Sequence, residues 1–553
     1  MSIFSRVPTK PTGSMRKRFK PVNTTSFNFG GIYPILCKNV MPGDSWRMNL
    51  SSFVRTVPLI SPVMHRNDIK VDAFFVPYRL IWKSSEEWFA CNDAIKRPKF
   101  FIQAGANYSV FYDPLLGPGS IHDYFNFGTP SFADLTANSI NQEDRQVDIM
   151  PLRAYRMIYD FYFRNKAVED DITTIFPDFY GDNDFAVENK VYPDGTLHQP
   201  GDYLDKLVLQ FRPWRRDIFT SALPDPQNGP DVVIPQADIE ADGTFNLKDN
   251  TNTPVDGDVV TNQSISPGTL FKVSGSPGIQ DIAQSYNEGL KLGDVPTMRT
   301  LRAANLMEEF EEAMARIGYS DRTLNTGKFK EWLRGIWNVR SSDGRLDIPE
   351  WLGGYRGPIT ISEIPQTSGS TANSPQGNLA GKGVSAGGSR IFKKKFFEEP
   401  GVMMVLMSIV PKSAYCQGDP REWLYESGFD YPNPYFEGLG EQEVKSKEIN
   451  CLADLLGVQN TFGYNVRNYE MKTYPDEIHG KFRTDLAYWH EGRMFPWSNV
   501  PGLNKDFLKV KPADVSRIFP STETSDKLLG QFFFDIEIKR RLNPYGLPSF
   551  TNF

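Results

Sequence analysis

The chain has 553 residues, 40% of them apolar and 13% aromatic, which is enough to fill a large core. Its formal charge of −6 excludes a body that binds nucleic acid all over, and 44 Gly with 41 Pro favour many short strands and long loops over a helical bundle. Cys37, Cys91, Cys416 and Cys451 are too few and too scattered for a disulfide scaffold or a zinc box, so free, mostly buried thiols in a reducing compartment are expected.

Charge is concentrated at the start. Residues 1–20 hold Arg6, Lys10, Arg16, Lys17, Arg18 and Lys20 and no acid, with Pro8, Pro11 and Gly13 and little apolar content. This reads as a flexible basic arm able to bind a phosphate backbone without sequence preference; the plainer alternative is a disordered leader. No apolar leader segment precedes it, so usual secretion is not expected.

Residues 24–37 (TTSFNFGGIYPILC) alternate loosely and break at Gly30-Gly31; MPGD at 41–44 is a turn, and 47–54 (RMNLSSFV) offers another strand. Residues 69–76 form the clearest period-2 stretch, with Lys70 and Asp72 on one face and Ile69, Val71 and Ala73 on the other, stopped by Pro77. In 152–164 (LRAYRMIYDFYFR), Tyr155, Ile158, Tyr159 and Tyr162 have helical spacing, which predicts a helix burying one aromatic face. Residues 225–291 turn to Asn, Asp, Gly, Pro, Thr and Ser and read as an exposed insertion. A helix is predicted over 297–317, stopped at Gly318, with a second helical piece at 329–337. Residues 366–390, rich in Gly and Ser, read as a loop. Residues 402–410 (VMMVLMSIV) are about half of what a membrane helix needs and suit a buried strand. Residues 532–538 (FFFDIEI) set Phe534, Ile536 and Ile538 against Asp535 and Glu537, a strand with one wet face.

Motifs for chemistry are sparse. The five histidines are His65, His122, His198, His479 and His490. His490-Glu491 opens like a zincin motif, but no second His follows at the needed spacing. No phosphate loop or nucleophile elbow occurs, so no catalytic residue, metal site or cofactor is assigned. A glycosidase pair drawn from distant acids stays open as an alternative. The positive features, namely a basic arm, β patterning, long insertions and aromatic-Pro-Arg segments, suit a protein that packs against copies of itself.

Ten segments in order resemble the major capsid protein of the Microviridae, closest to the gokushovirus type. They include PGDSWRMNLSSFVR (42–55), SPVMHRNDIKVDAFFVPYRLIW (61–82), LRAYRMIYDFYFRN (152–165), RRDIFTSALPDPQNGP (215–230), RLDIPEWLGG (345–354), SPQGNLAG (374–381), GEQEVKSKEI (440–449), FRTDLAYWH (482–490) and FPWSNVPGLNKDF (495–507). The sequence departs from that pattern at Trp214, Arg215, Arg216 and Asp225, which places it on a divergent branch.

The resemblance implies a mainly β fold: an eight-stranded antiparallel viral jelly-roll barrel, spanning 21–553 behind the 1–20 arm, with long loop insertions containing a few helices. It implies a structural subunit that assembles with itself into a T=1 icosahedral shell around circular single-stranded DNA, in the virion, after assembly in the host bacterial cytoplasm. A small basic DNA-packaging protein is an expected partner. The insertion at 225–291 falls where such capsids carry a protrusion that meets a host receptor; the alternative is a tolerated loop. No membrane insertion is expected. Tyr78, Arg79 and Trp82, where chain leaves sheet, are expected at or near a subunit contact, because Tyr, Trp and Arg are enriched at interface centres; for Trp82 ordinary core packing is the alternative. A second class stays open: jelly rolls also make lectins and glycanases.

Overall fold

The computed structural model describes residues 14–90, 94–103, 109–191, 197–225, 247–248, 291–292, 348–365, 379–436, 440–520 and 526–542. Nine strands make the main sheet: β1 (Met15–Phe19), β2 (Val22–Phe27), β3 (Tyr33–Val40), β4 (Ser45–Thr56), β5 (Asn67–Pro77), β6 (Glu350–Pro365), β7 (Leu379–Phe396), β8 (Gly401–Pro411) and β9 (Leu528–Arg540). Their order is β1-β9-β4-β7-β6-β5-β8-β3, all antiparallel, with β2 also paired to β9.

The path folds over on itself at β6. Glu350–Ile359 pair with β5, whereas Thr360–Pro365 pair with β7. One long strand thus belongs to two sheets: β3-β8-β5-β6, and β6-β7-β4-β9 with β1 and β2. The two ends of the path approach each other where Asn23 Nδ2 donates to the Ile35 carbonyl at 2.7 Å and the Phe27 and Tyr33 rings lie 5.6 Å apart. This is the curled antiparallel sheet of a jelly-roll, and the fold is mainly β as the resemblance implies.

Two separate cores explain the strand patterns. Between the sheets lie Trp46, Met48, Leu50 and Val54 of β4, Phe532, Phe534, Ile536 and Ile538 of β9, and Met403, Val405, Met407 and Ile409 of β8. The outer face of β4 and β9 is wet, which gives the alternation seen in sequence. On the far side of the first sheet a helical layer packs against Phe74, Val76, Val402, Met404 and Leu406. β8 is therefore buried on both faces and reads as a continuous apolar run. The adjacent Phe74 and Phe75 point into different cores, as successive strand residues must.

The expected helix is α1 (Met150–Tyr162), but it is buried on more than one side. Tyr155, Ile158 and Tyr159 are in the core together with Arg153 and Arg156, while Tyr162 is at the rim and donates to the Pro349 carbonyl at 2.6 Å. The buried arginines are only partly paired: Arg153 Nη1 donates to the Gly181 carbonyl at 2.8 Å and Arg156 pairs with Asp160 at 3.1 Å, while Arg153 Nε and Arg156 Nε and Nη1 are buried without a hydrogen-bond partner.

The loop expected over 366–390 is corrected for its second half, since Leu379–Arg390 run inside β7. Small residues are needed there for packing. A Cβ on Gly387 would lie 1.9 Å from Tyr355 Oη, and one on Gly383 2.6 Å from Thr56 Cγ2. The strand's side-chain space is filled by its neighbours, a known use of glycine in sheets.

Residues 227–325 with 335–338 form a second compact unit, in which Leu247–Lys248 pair antiparallel with Lys291–Leu292. The helix expected at 297–317, the helical piece at 329–337 and most of the 225–291 insertion lie outside the described residues.

Candidate subunit-contact and nucleic-acid sites

Part of the expected arm is a strand. β1 pairs with β9, Met15 opposite Arg540 through Phe19 opposite Ile536, at the sheet edge. Its period of two puts Arg16 and Arg18 on one face, where they pair with Glu537 and Asp535 of β9. Arg18 donates two hydrogen bonds to Asp535 and holds that carboxyl well below the usual range. Lys17 and Lys20 are exposed, and Arg6 and Lys10 lie outside the described residues. Two of the six cations are thus engaged with carboxylates inside the protomer. The same charges also keep an exposed strand edge from pairing with stray strands.

Pro77 ends β5 and fixes the backbone for a single helical turn, Tyr78–Ile81. The turn points inward. Tyr78 is 4% exposed and Trp82 1%. Tyr78 donates to Asn39 Oδ1 at 2.6 Å and accepts from Arg97 Nη2 at 3.0 Å, with the Arg97 guanidinium 5.1 Å over its ring. Burial raises its phenol pKa. Trp82 packs against Trp88 with ring centres 5.5 Å apart. Arg79 reaches the surface side and pairs with Glu399 at 2.7 Å. The three residues expected together at a contact are neighbours, but two of them are packed within their own chain.

A different segment carries exposed aromatics and was not singled out from sequence. Between Asp419 and Phe436 lie Trp423, Phe429, Tyr431 and Tyr435, all exposed. Aromatic richness alone cannot distinguish such a segment from core; only the surrounding fold does.

A pocket of about 560 Å³ is lined by His65, His479, His490, Lys412, Asp476 and Trp489 among others. Its two inner histidines are engaged with backbone: His65 Nε2 with the Lys412 carbonyl at 2.6 Å and His490 Nε2 with the Phe482 carbonyl at 2.8 Å. Burial lowers both imidazole pKa values. Among the described residues no Ser, Thr or Cys lines the pocket. Beside it Glu491 is buried, hydrogen-bonded through Oε1 to Asn67 Nδ2 at 2.9 Å, and burial pushes its carboxyl up to about 7. Among the described residues no group of three His, Cys, Asp or Glu is placed to hold a metal ion, and no helix is long and apolar enough to cross a membrane.

The family model described as "Capsid protein (F protein)" matches residues 5–550. The chain is 28% identical over 566 residues to Capsid protein VP1 of Bdellovibrio phage phiMH2K, covering 99% of this chain and 97% of that one. It is 26% identical over 620 residues to Capsid protein VP1 of Chlamydia phage 1, covering 99% and 97%. It is 25% identical over 567 residues to Capsid protein VP1 of Spiroplasma virus 4, covering 95% and 93%.

Proposed function

Because the chain belongs to the capsid protein (F protein) family, we propose that its copies close into a T=1 icosahedral shell around the circular single-stranded DNA of a gokushovirus-type phage of the Microviridae. The protein is a structural capsid subunit of the virion and not an enzyme. The observation that carries the reading is the family match along 5–550. A two-sheet body with one sheet facing water supports it, because such a body can tile a shell while its loops make the contacts. In this reading 21–553 is the shell domain, 225–291 is the protrusion that meets a host receptor, and assembly takes place in the host bacterial cytoplasm. A small basic packaging protein shares the DNA. Arg79, at the surface side of its turn, carries the contact with another copy, and Tyr78 and Trp82 support it from within.

The basic arm at 1–20 faces the genome. Each phosphate contact on a single strand contributes a slope of about −0.7 in log affinity against log salt. Six cations would give about −4; with Arg16 and Arg18 held by Glu537 and Asp535, about −3. Salt titration of single-stranded DNA binding, compared with a chain lacking 1–13, tests the arm, and an unchanged slope overturns it. Electron microscopy and light scattering of the purified chain test the shell. Hollow megadalton particles are expected; a persistent monomer at every concentration and salt overturns the reading.

A further inference from the structure

We propose that the segment from Asp419 to Phe436 is a copy-to-copy contact, whose outward aromatics bury against a second copy of this chain. The inference rests on the shell reading above and adds where part of the contact lies.

Trp423 is 79% exposed, Phe429 80%, Tyr431 65% and Tyr435 92%. Singly exposed apolar side chains are ordinary; four large aromatics within thirteen residues are a patch. The backbone beneath them is fixed. A 3₁₀ turn at Arg421–Trp423 is closed by Trp423 N–H to the Pro420 carbonyl at 3.0 Å. The N–H groups of Glu426 and Ser427 both donate to Asp430, at 3.0 and 2.9 Å. Those bonds hold the Asp430 carboxyl below its ordinary range. Tyr425 ties the segment to the body through Glu470 at 2.9 Å, and its ring meets Tyr431 edge-on at 5.9 Å. Arg421 reaches Glu448 at 3.5 Å. A pre-shaped patch loses little freedom on docking.

The occupant follows from charge, area and symmetry. Within 419–436, Asp419, Glu422, Glu426 and Asp430 outnumber Arg421; Lys445 acts on Asp430 and Arg467 lies beside it, but the segment itself is net negative and disfavours a phosphate backbone. At about 150–250 Å² for a fully buried aromatic, four side chains that are 65–92% exposed have about 500–800 Å² left to bury, most of the roughly 800 Å² that one partner gives to a standard interface. In a shell of identical copies, every copy presents the patch to a neighbour at fixed geometry, and a patch meeting a different surface of the next copy closes into rings.

The test uses the full chain, with wild-type assembly as the control. Hydroxyl-radical footprinting of protomers and particles reads the solvent access of Trp423 and Tyr435. In particles at least a tenfold loss of labelling is expected. Trp423→Ser and Tyr435→Ser chains should keep the wild-type denaturation midpoint, because the removed side chains support no core, and their particle yield should fall at least tenfold. If wild-type particles form with both residues as reactive as in the protomer, the contact is overturned and the shell reading stands. Variants that assemble normally but adsorb poorly to host cells also overturn it, since the patch would then face outward. A wild-type chain that never assembles overturns the shell reading first, and this inference with it. Should a variant fail to fold, the wild-type footprint decides.

Discussion

Replacing Trp82 by alanine separates packing from assembly. The side chain is 1% exposed, packs tilted against Trp88 with ring centres 5.5 Å apart and sits in the core with the helical layer. Removing a buried tryptophan costs about 3–5 kcal/mol, because both transfer energy and contacts around the new cavity are lost. That lowers the ratio of folded to unfolded chain by about two to four powers of ten. Urea titration of the unassembled chain, followed by far-ultraviolet circular dichroism, should show the midpoint move down at unchanged slope. The companion Arg79→Glu faces Glu399 at a partly exposed site and should cost the protomer only about 1 kcal/mol, while removing the proposed contact with a neighbour. A Trp82→Ala chain with the wild-type midpoint but no particles would refute the argument, since the indole would then be at work between copies.

Phe74→Leu and Phe75→Leu should cost about 1–1.5 kcal/mol each, and the double variant their sum within about 0.5 kcal/mol, because the two rings pack in different cores. A coupling above about 1 kcal/mol in the same urea titrations would mean the cores are not independent. Gly30→Ala should cost more than about 3 kcal/mol or abolish soluble chain: φ is +78° and the new Cβ would lie 2.0 Å from the Val510 carbonyl oxygen. Soluble yield and urea midpoint read it, and a near-neutral outcome would show that the Val510 segment can move. Glu491 predicts a pH dependence. Its folded-state pKa of about 7 exceeds the ordinary 4.5, so the native state holds the proton more tightly and stability falls as pH rises from about 4.5 to 7. Glu491→Gln removes that loss, so the variant should gain on the wild type by about 3 kcal/mol between pH 4.5 and 8; parallel curves would sink the assignment.

Much of the fold was legible because one wet face leaves a period of two. β4 and β9 show this along their whole lengths, and the twice-buried β8 shows the opposite signature. What was illegible depended on neighbours distant in sequence. The Gly-Ser stretch at 379–390 has a loop's composition, and only Tyr355 and Thr56 lying over Gly387 and Gly383 explain why a strand needs it. Nothing local marks Met15–Phe19 as a strand, since its partner is β9. The candidate sites failed in a related way. Tyr78 with Trp82 and Tyr435 with Trp423 are the same residue types, and only the fold separates them: the first pair is buried in the core, the second exposed.

The position of β9 bears on how such a subunit comes to assemble. β9 lies between β4 and the edge strands β1 and β2, so it carries the ladder that joins that edge to the rest of the sheet. It is also far away in sequence: Ser26 Oγ donates to Asp526 at 2.6 Å across 500 residues. Closing so long a loop precedes any reward from the contacts it brings together, which makes this pairing a late step. Until it occurs, β4 offers one unpaired edge and an uncovered row of Trp46, Met48, Leu50 and Val54, and Arg16 and Arg18 have no carboxylates to hold them. A chain caught at that stage would join others through the wrong surface. The aromatic segment at 419–436 is fixed by contacts to Glu448 and Glu470 that do not involve β9. Orderly assembly is therefore favoured when the long-range ladder closes before neighbouring copies meet, with β1 covering Ile536–Arg540 and β2 covering Leu528–Phe533 of β9.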